Sequence, residues 1–125
     1  TIRNADSILV MKDGDIVEVA GLRLRAITTP GHTPGSVSYY AEEGMVFSGD
    51  TLFRGSIGRT DLPGGSMEQE MRSICERLLV LPEETAVLPG HMEETTVAFE
   101  KAHNPFVLEW QRAMRGARRG LQRRA

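Results

Sequence analysis

Apolar and polar positions alternate early in the chain with a period of two, which predicts strands. Leu22-Arg23-Leu24-Arg25-Ala26-Ile27 puts a dry face on one side and a charged face on the other, the pattern of a half-buried strand. Upstream, Asp13-Gly14-Asp15 separates two β-like stretches, so residues 8–11 and 15–20 are expected to pair as a hairpin. Two prolines and two glycines within Thr29–Gly35 rule out regular structure there. Strands resume over 37–41 and, past the turn Glu42-Glu43-Gly44, over 45–48, ending at Gly49-Asp50.

The period then changes. Residues 51–65 are rich in glycine and read as a long loop, a kind usually kept for function. Ser66 followed by Gln69 has the form of a capping box. Met67, Met71, Ile74, Leu78 and Leu81 recur at helical spacing, so an amphipathic helix with that stripe buried is expected over 67–81, stopped by Pro82. A short strand over 86–88 ends at Pro89-Gly90-His91. Two further helices are expected, from about 94 to 102 and from 106 to about 115, split by Asn104-Pro105. No repeat or linker interrupts the pattern. The expected organisation is one domain body over 1–110 and a basic tail over 111–125.

Composition changes this picture little. Hydrophobic residues make up 40% and charged residues 26%, ordinary for a soluble globular chain. No apolar run approaches the roughly 20 residues of a membrane span, so no membrane partner is expected. The single cysteine, Cys75, excludes an internal disulfide and a multi-cysteine zinc knuckle. No secretory pattern opens the chain, and a reducing cytoplasm is the expected compartment. Net charge is −2, yet residues 111–125 carry six arginines and no acid, which leaves −8 on residues 1–110. The tail lacks interleaved aromatics for base stacking and large apolar residues for a lipid face. A solvated, frayed C-terminus is expected, and nucleic acid ranks last among partners.

Chemistry gathers at three strand ends: Thr29-Pro-Gly-His32, Ser48-Gly-Asp50 and Leu88-Pro-Gly-His91. Each sets a possible metal ligand beside a backbone that bends sharply. If the three ends share one edge of a sheet, two imidazoles and a carboxylate converge, a donor set suited to Zn²⁺, Mn²⁺ or Fe²⁺. Taken singly, each is also an ordinary turn with an exposed polar residue.

The segment from Thr28 to Phe106 closely resembles the C-terminal half of the metallo-β-lactamase-fold hydrolases, glyoxalase II-like (hydroxyacylglutathione hydrolase-like) branch. The matching words are Thr29-Pro-Gly-His-Thr-Pro-Gly-Ser36, Phe47-Ser-Gly-Asp-Thr-Leu-Phe53, Gly55-Ser-Ile-Gly-Arg-Thr-Asp-Leu-Pro-Gly-Gly65 and Val87-Leu-Pro-Gly-His91, with Thr95-Thr96 and Asn104-Pro-Phe106 closing the series. The resemblance implies an α/β fold (α+β in mixed classifications): half of an αββα sandwich, with one mixed β-sheet and helices on one face. It implies that His32 binds one ion of a two-metal site, Asp50 bridges both ions, and His91 binds the second. The implied cofactor is Zn²⁺, two per complete site, with Fe²⁺ or Mn²⁺ as alternatives. The implied activity is hydrolysis of a small-molecule thioester or ester by a metal-bound hydroxide. Arg59 is a candidate substrate contact, its plain alternative being a loop-bracing salt bridge with Asp61.

The sequence also departs from the family. Its histidines stand at 32, 91 and 103, so the His-x-His-x-Asp-His cluster of the family's N-terminal half is absent. The three remaining ligands then offer at most a facial set for one ion, and His103 reads as a surface or cap residue. Met92-Glu93-Glu94 replaces the glycine and proline usual after the second histidine, and the helical extension that grips glutathione is missing. The resemblance therefore implies a fragment or one partner of a split assembly. Its exposed sheet face would be covered by the missing N-terminal half-domain or by a second copy, as a homodimer or swapped dimer. Two further readings stand beside the hydrolase: an iron-dependent sulfur (persulfide) dioxygenase, and a catalytically silent half that needs a partner chain.

Overall fold

The computed structural model describes residues 12–91 and 93–124. Strands β1 (Ile16–Val19), β2 (Leu22–Thr28), β3 (Val37–Ala41) and β4 (Met45–Gly49) precede a small hairpin, β5 (Leu52–Phe53) and β6 (Ser56–Ile57). Helix α1 (Met67–Ser73) continues as a π-helical turn over Ile74–Leu78. Next come β7 (Ala86–Pro89), β8 (Thr95–Thr96), α2 (Val97–His103) and α3 (Pro105–Arg124). Six strands form one mixed sheet in the order β1-β2-β3-β4-β7-β8, and β5 pairs with β6 apart from it. Every pairing is antiparallel except β4 with β7. Strands β2, β4 and β7 therefore run the same way, and their C-terminal ends share one edge of the sheet.

Several expected elements shift. Strand β1 joins β2 through Ala20-Gly21, both at positive φ (50° and 82°), as a two-residue hairpin turn of matching twist requires. The turn at Asp13-Gly14 is also present, with the Asp15 N–H donating to the Lys12 carbonyl at 3.0 Å, but residues 8–11 lie outside the described residues. The expected loop 51–65 contains β5 and β6. The helix expected over 67–81 gives way after Leu78, because a widened turn lets the Leu79 N–H reach the Ile74 carbonyl. Its stripe holds at Met71, Ile74 and Leu78, all buried, whereas Met67 is 46% exposed and its sulfur meets Thr60 at the overhanging first turn. The second helix starts three residues late: Thr95 and Thr96 pair with β7, and the Thr96 hydroxyl caps α2 by accepting the Phe99 N–H. Helix α3 passes through the segment expected to fray and reaches Arg124. Arginine, alanine, methionine and glutamine there are good helix formers, and cations suit a helix C-terminus.

The two sheet faces differ. One is dried by the helices: Val46 and Val87 from the sheet pack with Met71, Ile74 and Leu78 below α1, and with Val97 and Val107 from α2 and α3. The other carries apolar rows set by register, Ala26-Tyr39-Phe47-Leu88 and Leu24-Ala41-Met45-Ala86. None of these joins the helix-packed cluster among the described residues, and Tyr39, Met45, Phe47, Ala86 and Leu88 are only half-buried. Helices thus lie on one face of a single mixed sheet.

Glu70 breaks the apolar pattern of α1. It is fully buried, and neither carboxyl oxygen has a hydrogen-bond partner. Burial pushes its pKa up to about 8, so the group is a neutral acid at pH 7. A raised carboxyl pKa makes the unfolded chain release a proton that the folded chain keeps. Folded stability accordingly falls as pH rises from about 4.5 to about 8 and levels off above. We expect Glu70→Gln to flatten this slope and Glu70→Leu to raise the midpoint of thermal unfolding at pH 8, by a gain on the order of a few kcal/mol. Unfolding curves at pH 5 and pH 8 check both. A wild-type chain equally stable at the two values would contradict the assignment.

Candidate metal centre

The edge shared by β2, β4 and β7 carries the three ligand candidates. Beyond β2, the chain turns at Pro30-Gly31. Gly31 has φ of +147°, and a Cβ there would collide with the Glu70 backbone, so the loop lies directly on α1. The Gly31 carbonyl accepts the Ser66 N–H at 2.7 Å, and the Pro30 carbonyl accepts the Ser73 hydroxyl at 2.7 Å. The buried hydroxyl of Thr29 lies 3.0 Å from that of Ser38 and 3.3 Å from that of Thr51, bridging the β2 exit to the β4 exit. On the other side, the Gly90 N–H donates to the Gly49 carbonyl at 2.9 Å, tying the β7 exit to the β4 exit.

These ties bring His32, Asp50 and His91 together. His32 Nε2 lies 3.9 Å from Asp50 Oδ2, and His91 Nε2 lies 3.7 Å from Asp50 Oδ1. His32 Nδ1 is 2.7 Å from the Arg59 carbonyl. A carbonyl only accepts, so Nδ1 is the donor, and Nε2 is the ring nitrogen that faces Asp50. Each imidazole faces its own carboxylate oxygen. Among the described residues no three such donors close around one ion. A carboxylate set between two imidazoles is a geometry that suits a bridge between two cations. Side-chain exposure rises from 23% at His32 through 45% at Asp50 to 78% at His91. His103 stays apart as a surface residue, its ring 4.8 Å from that of Phe99.

Arg59 makes the salt bridge with Asp61 that was the plainer of its two expected roles. Its Nε and Nη2 donate to the two oxygens of Asp61 at 2.7 and 3.2 Å, in an exposed pair. The bond to Asp61 raises the arginine pKa, and the bond to Arg59 lowers that of Asp61. Sequence reasoning missed that the useful atom of Arg59 is its backbone carbonyl, which fixes the His32 tautomer. It also missed Gly58, whose N–H donates to the Thr51 carbonyl at 3.0 Å. A Cβ at Gly58 would strike the Asp50 carbonyl oxygen. Glycine spacing in the loop was the available signal. The Met92 departure from the family pattern lies outside the described residues.

Gly58→Ala should therefore cost about 2 kcal/mol or more, since the Asp50 backbone must move to admit a methyl group. Gly35→Ala, with nothing within 4 Å of its added carbon, should change stability by less than about 0.5 kcal/mol. Denaturant unfolding of the two variants checks the contrast.

Residues 2–91 match the metallo-beta-lactamase superfamily. Among curated proteins, the chain is 50% identical over 108 residues to the probable metallo-hydrolase YqgX of Bacillus subtilis, covering 86% of this chain and 50% of that protein. It is 40% identical over 97 residues to the hydroxyacylglutathione hydrolase GloC of Haemophilus influenzae, covering 77% and 46%. Among solved structures, it superposes on ETHE1 from Myxococcus xanthus with a TM-score of 0.72 at 41% identity, over 76% of this chain and 44% of that one. TTHA1623, solved in a di-iron-bound form, gives a TM-score of 0.68 at 46% identity, over 77% and 46%. The chain spans about half the length of the curated relatives it matches. By the match over residues 2–91, the sheet with its one-sided helices and these relatives, the chain belongs to the metallo-beta-lactamase superfamily.

Proposed function

We propose that this chain supplies one half of the active site of a metal-dependent hydrolase acting on small thioesters or related esters. The observation that carries the reading is Asp50, with one carboxylate oxygen toward each of two imidazoles. In this reading Asp50 would be shared by two ions, with His32 holding one and His91 the other. Two neutral imidazoles and one bridging carboxylate suit Zn²⁺, Fe²⁺ or Mn²⁺, and the di-iron form of TTHA1623 supports a two-ion site. Ions there supply Lewis acidity that acidifies water and polarises a carbonyl. The chain's own residues do the positioning. The Arg59 carbonyl keeps His32 in the tautomer that ligates through Nε2. The Gly90–Gly49 bond sets the His91 loop against the Asp50 loop. The thioester preference draws on the likeness to GloC, a hydroxyacylglutathione hydrolase.

His32, Asp50 and His91 would give each ion two donors, and further donors would complete each shell. The half-buried apolar sheet face is the surface on which a covering half-domain or a second copy packs. The alternative reading, an iron-dependent sulfur dioxygenase, draws on Gly58-Arg-Thr-Asp61 and calls for a single ion. Separate placement of the two imidazoles favours two.

Two measurements test the proposal. First, the chain is supplied with the half that its relatives carry and it lacks, loaded with Zn²⁺, and assayed on a thioester. Hydrolysis should appear only with both halves and fall by about a hundredfold or more in Asp50→Ala. Hydrolysis indifferent to Asp50, or oxygen uptake with iron and no hydrolysis, would overturn it. Second, light scattering of the chain alone should show self-association, or a monomer that binds an apolar dye, and the added half should abolish either. A monomer that binds no dye argues against the covering partner.

A further inference from the structure

The loops bearing Asp50 and His91 are joined a second time behind the site, through one buried side chain. Glu100 lies in the first turn of α2 and is fully buried. Its Oε1 accepts the Gly55 N–H at 3.0 Å and the Asn104 side-chain amide at 2.7 Å, and its Oε2 accepts the Thr95 hydroxyl at 2.7 Å. The Asn104 amide also reaches the Ser56 carbonyl at 3.1 Å, while its oxygen accepts the N–H groups of Phe106 and Val107 at the start of α3. Gly55 and Ser56 belong to the β5–β6 hairpin, which begins two residues after Asp50. Thr95 opens β8, four residues after His91.

We infer that Glu100 is a positioning residue, a clamp that fixes the separation of the Asp50 and His91 loops from behind the centre. The inference rests on the reading of Asp50 and His91 as metal ligands. In front, the loops meet through the Gly90 N–H and the Gly49 carbonyl. Behind, they meet through the carboxylate, which takes donors from three segments. A simple cap of α2 needs no buried acid, since Thr96 already caps that helix. An apolar residue at 100 would leave the Gly55 N–H and the Thr95 hydroxyl buried without that acceptor, a costly outcome for both. A carboxylate can accept on both oxygens at once, and here both are used. On the outside, the Arg54 guanidinium lies 4.6 Å from the centre of the Phe99 ring and its Nη1 is 3.4 Å from the Glu94 carbonyl, a second strap from hairpin to α2.

The clamp is tested on the full chain with Thr95→Val, Glu100→Gln and Glu100→Ala, with Val107→Ala as a control that opens the same core away from the loops. Zn²⁺ affinity is read by competition with a chromogenic chelator, and amide hydrogen exchange is read over 52–57 and 93–96. Thr95→Val is expected to speed exchange at 93–96 while 52–57 holds, and to weaken Zn²⁺ binding about tenfold, the lower end of outer-contact effects on metal affinity. Glu100→Gln should stay near wild type, its amide oxygen accepting from Gly55 and Asn104 and its NH₂ donating to the Thr95 hydroxyl. Glu100→Ala should free both segments together. Val107→Ala should lower the unfolding midpoint without changing Zn²⁺ affinity beyond about twofold. Unchanged exchange at 93–96 in Thr95→Val overturns the clamp, as does an equal loss of Zn²⁺ affinity in Thr95→Val and Val107→Ala. If the wild-type chain takes up no Zn²⁺ even with the complementing half added, the metal reading fails by itself, and the exchange pattern still decides the clamp.

Discussion

The structure depends on β2, β4 and β7 sharing one direction. Antiparallel neighbours turn the chain back after each strand, but β7 lies parallel to β4, so the 36 residues between Gly49 and Ala86 must carry the chain from one end of the sheet to the other. That crossover contains the β5–β6 hairpin and α1. Once it is made, Asp50 and His91 leave adjacent strands at the same edge, and His32 reaches that edge from β2. The β4–β7 register also shifts between Phe47 and Gly49. A bulge re-aims the chain immediately beyond it, and Asp50 is the residue re-aimed here. The crossover helix then closes the remaining gap: Ser66 and Ser73 hold the Pro30-Gly31 turn, so the element that dries the sheet also seats His32.

The two buried acids show how differently a carboxyl group can be used in one core. Glu100 has three donors and no unmet oxygen, and it joins three segments. Glu70 has none and sits among Gly31, Gly58 and the Asp50 backbone, where an unsatisfied buried group is a net cost. The first is architecture. The second is a polar group left beneath the ligand loops, in a chain whose second sheet face is itself only half-buried. Both features suit a chain that matches about half the length of its relatives.

Much of this was legible in the residues. Period-two alternation located β2, and Pro-Gly and Gly-Asp pairs marked the strand ends that carry His32, Asp50 and His91. What the residues could not carry was register. The Thr95-Thr96 strand is too short to outweigh the helical pattern around it, and it exists because β7 offers an edge. Met67 satisfies the helical period yet is exposed, since periodicity names a face and not how far the core extends beneath it. Glu70 lies on that same face, between Met67 and Ile74, so the pattern did hold the signal of a buried acid. Arg59 shows a different limit. Its side chain drew attention in the sequence, while its backbone carbonyl, which meets His32, carries no signature there.

The two imidazoles are not equivalent, and the difference arises from their surroundings. His32 is three-quarters covered, and the Arg59 carbonyl fixes its tautomer before any ion arrives. His91 is 78% exposed, and among the described residues no hydrogen bond holds its ring. On the proposed reading of both as ligands, one already held loses little freedom on binding, whereas an exposed one without such a contact must be ordered by the ion itself. The His32–Asp50 position is thus the more preorganised of the two. The His91 position depends on how well its loop is held on either side, by Gly90 against Gly49 and by Thr95 against Glu100. On that reading the burden of fixing the second position falls on backbone and buried carboxylate, since among the described residues no hydrogen bond holds the imidazole.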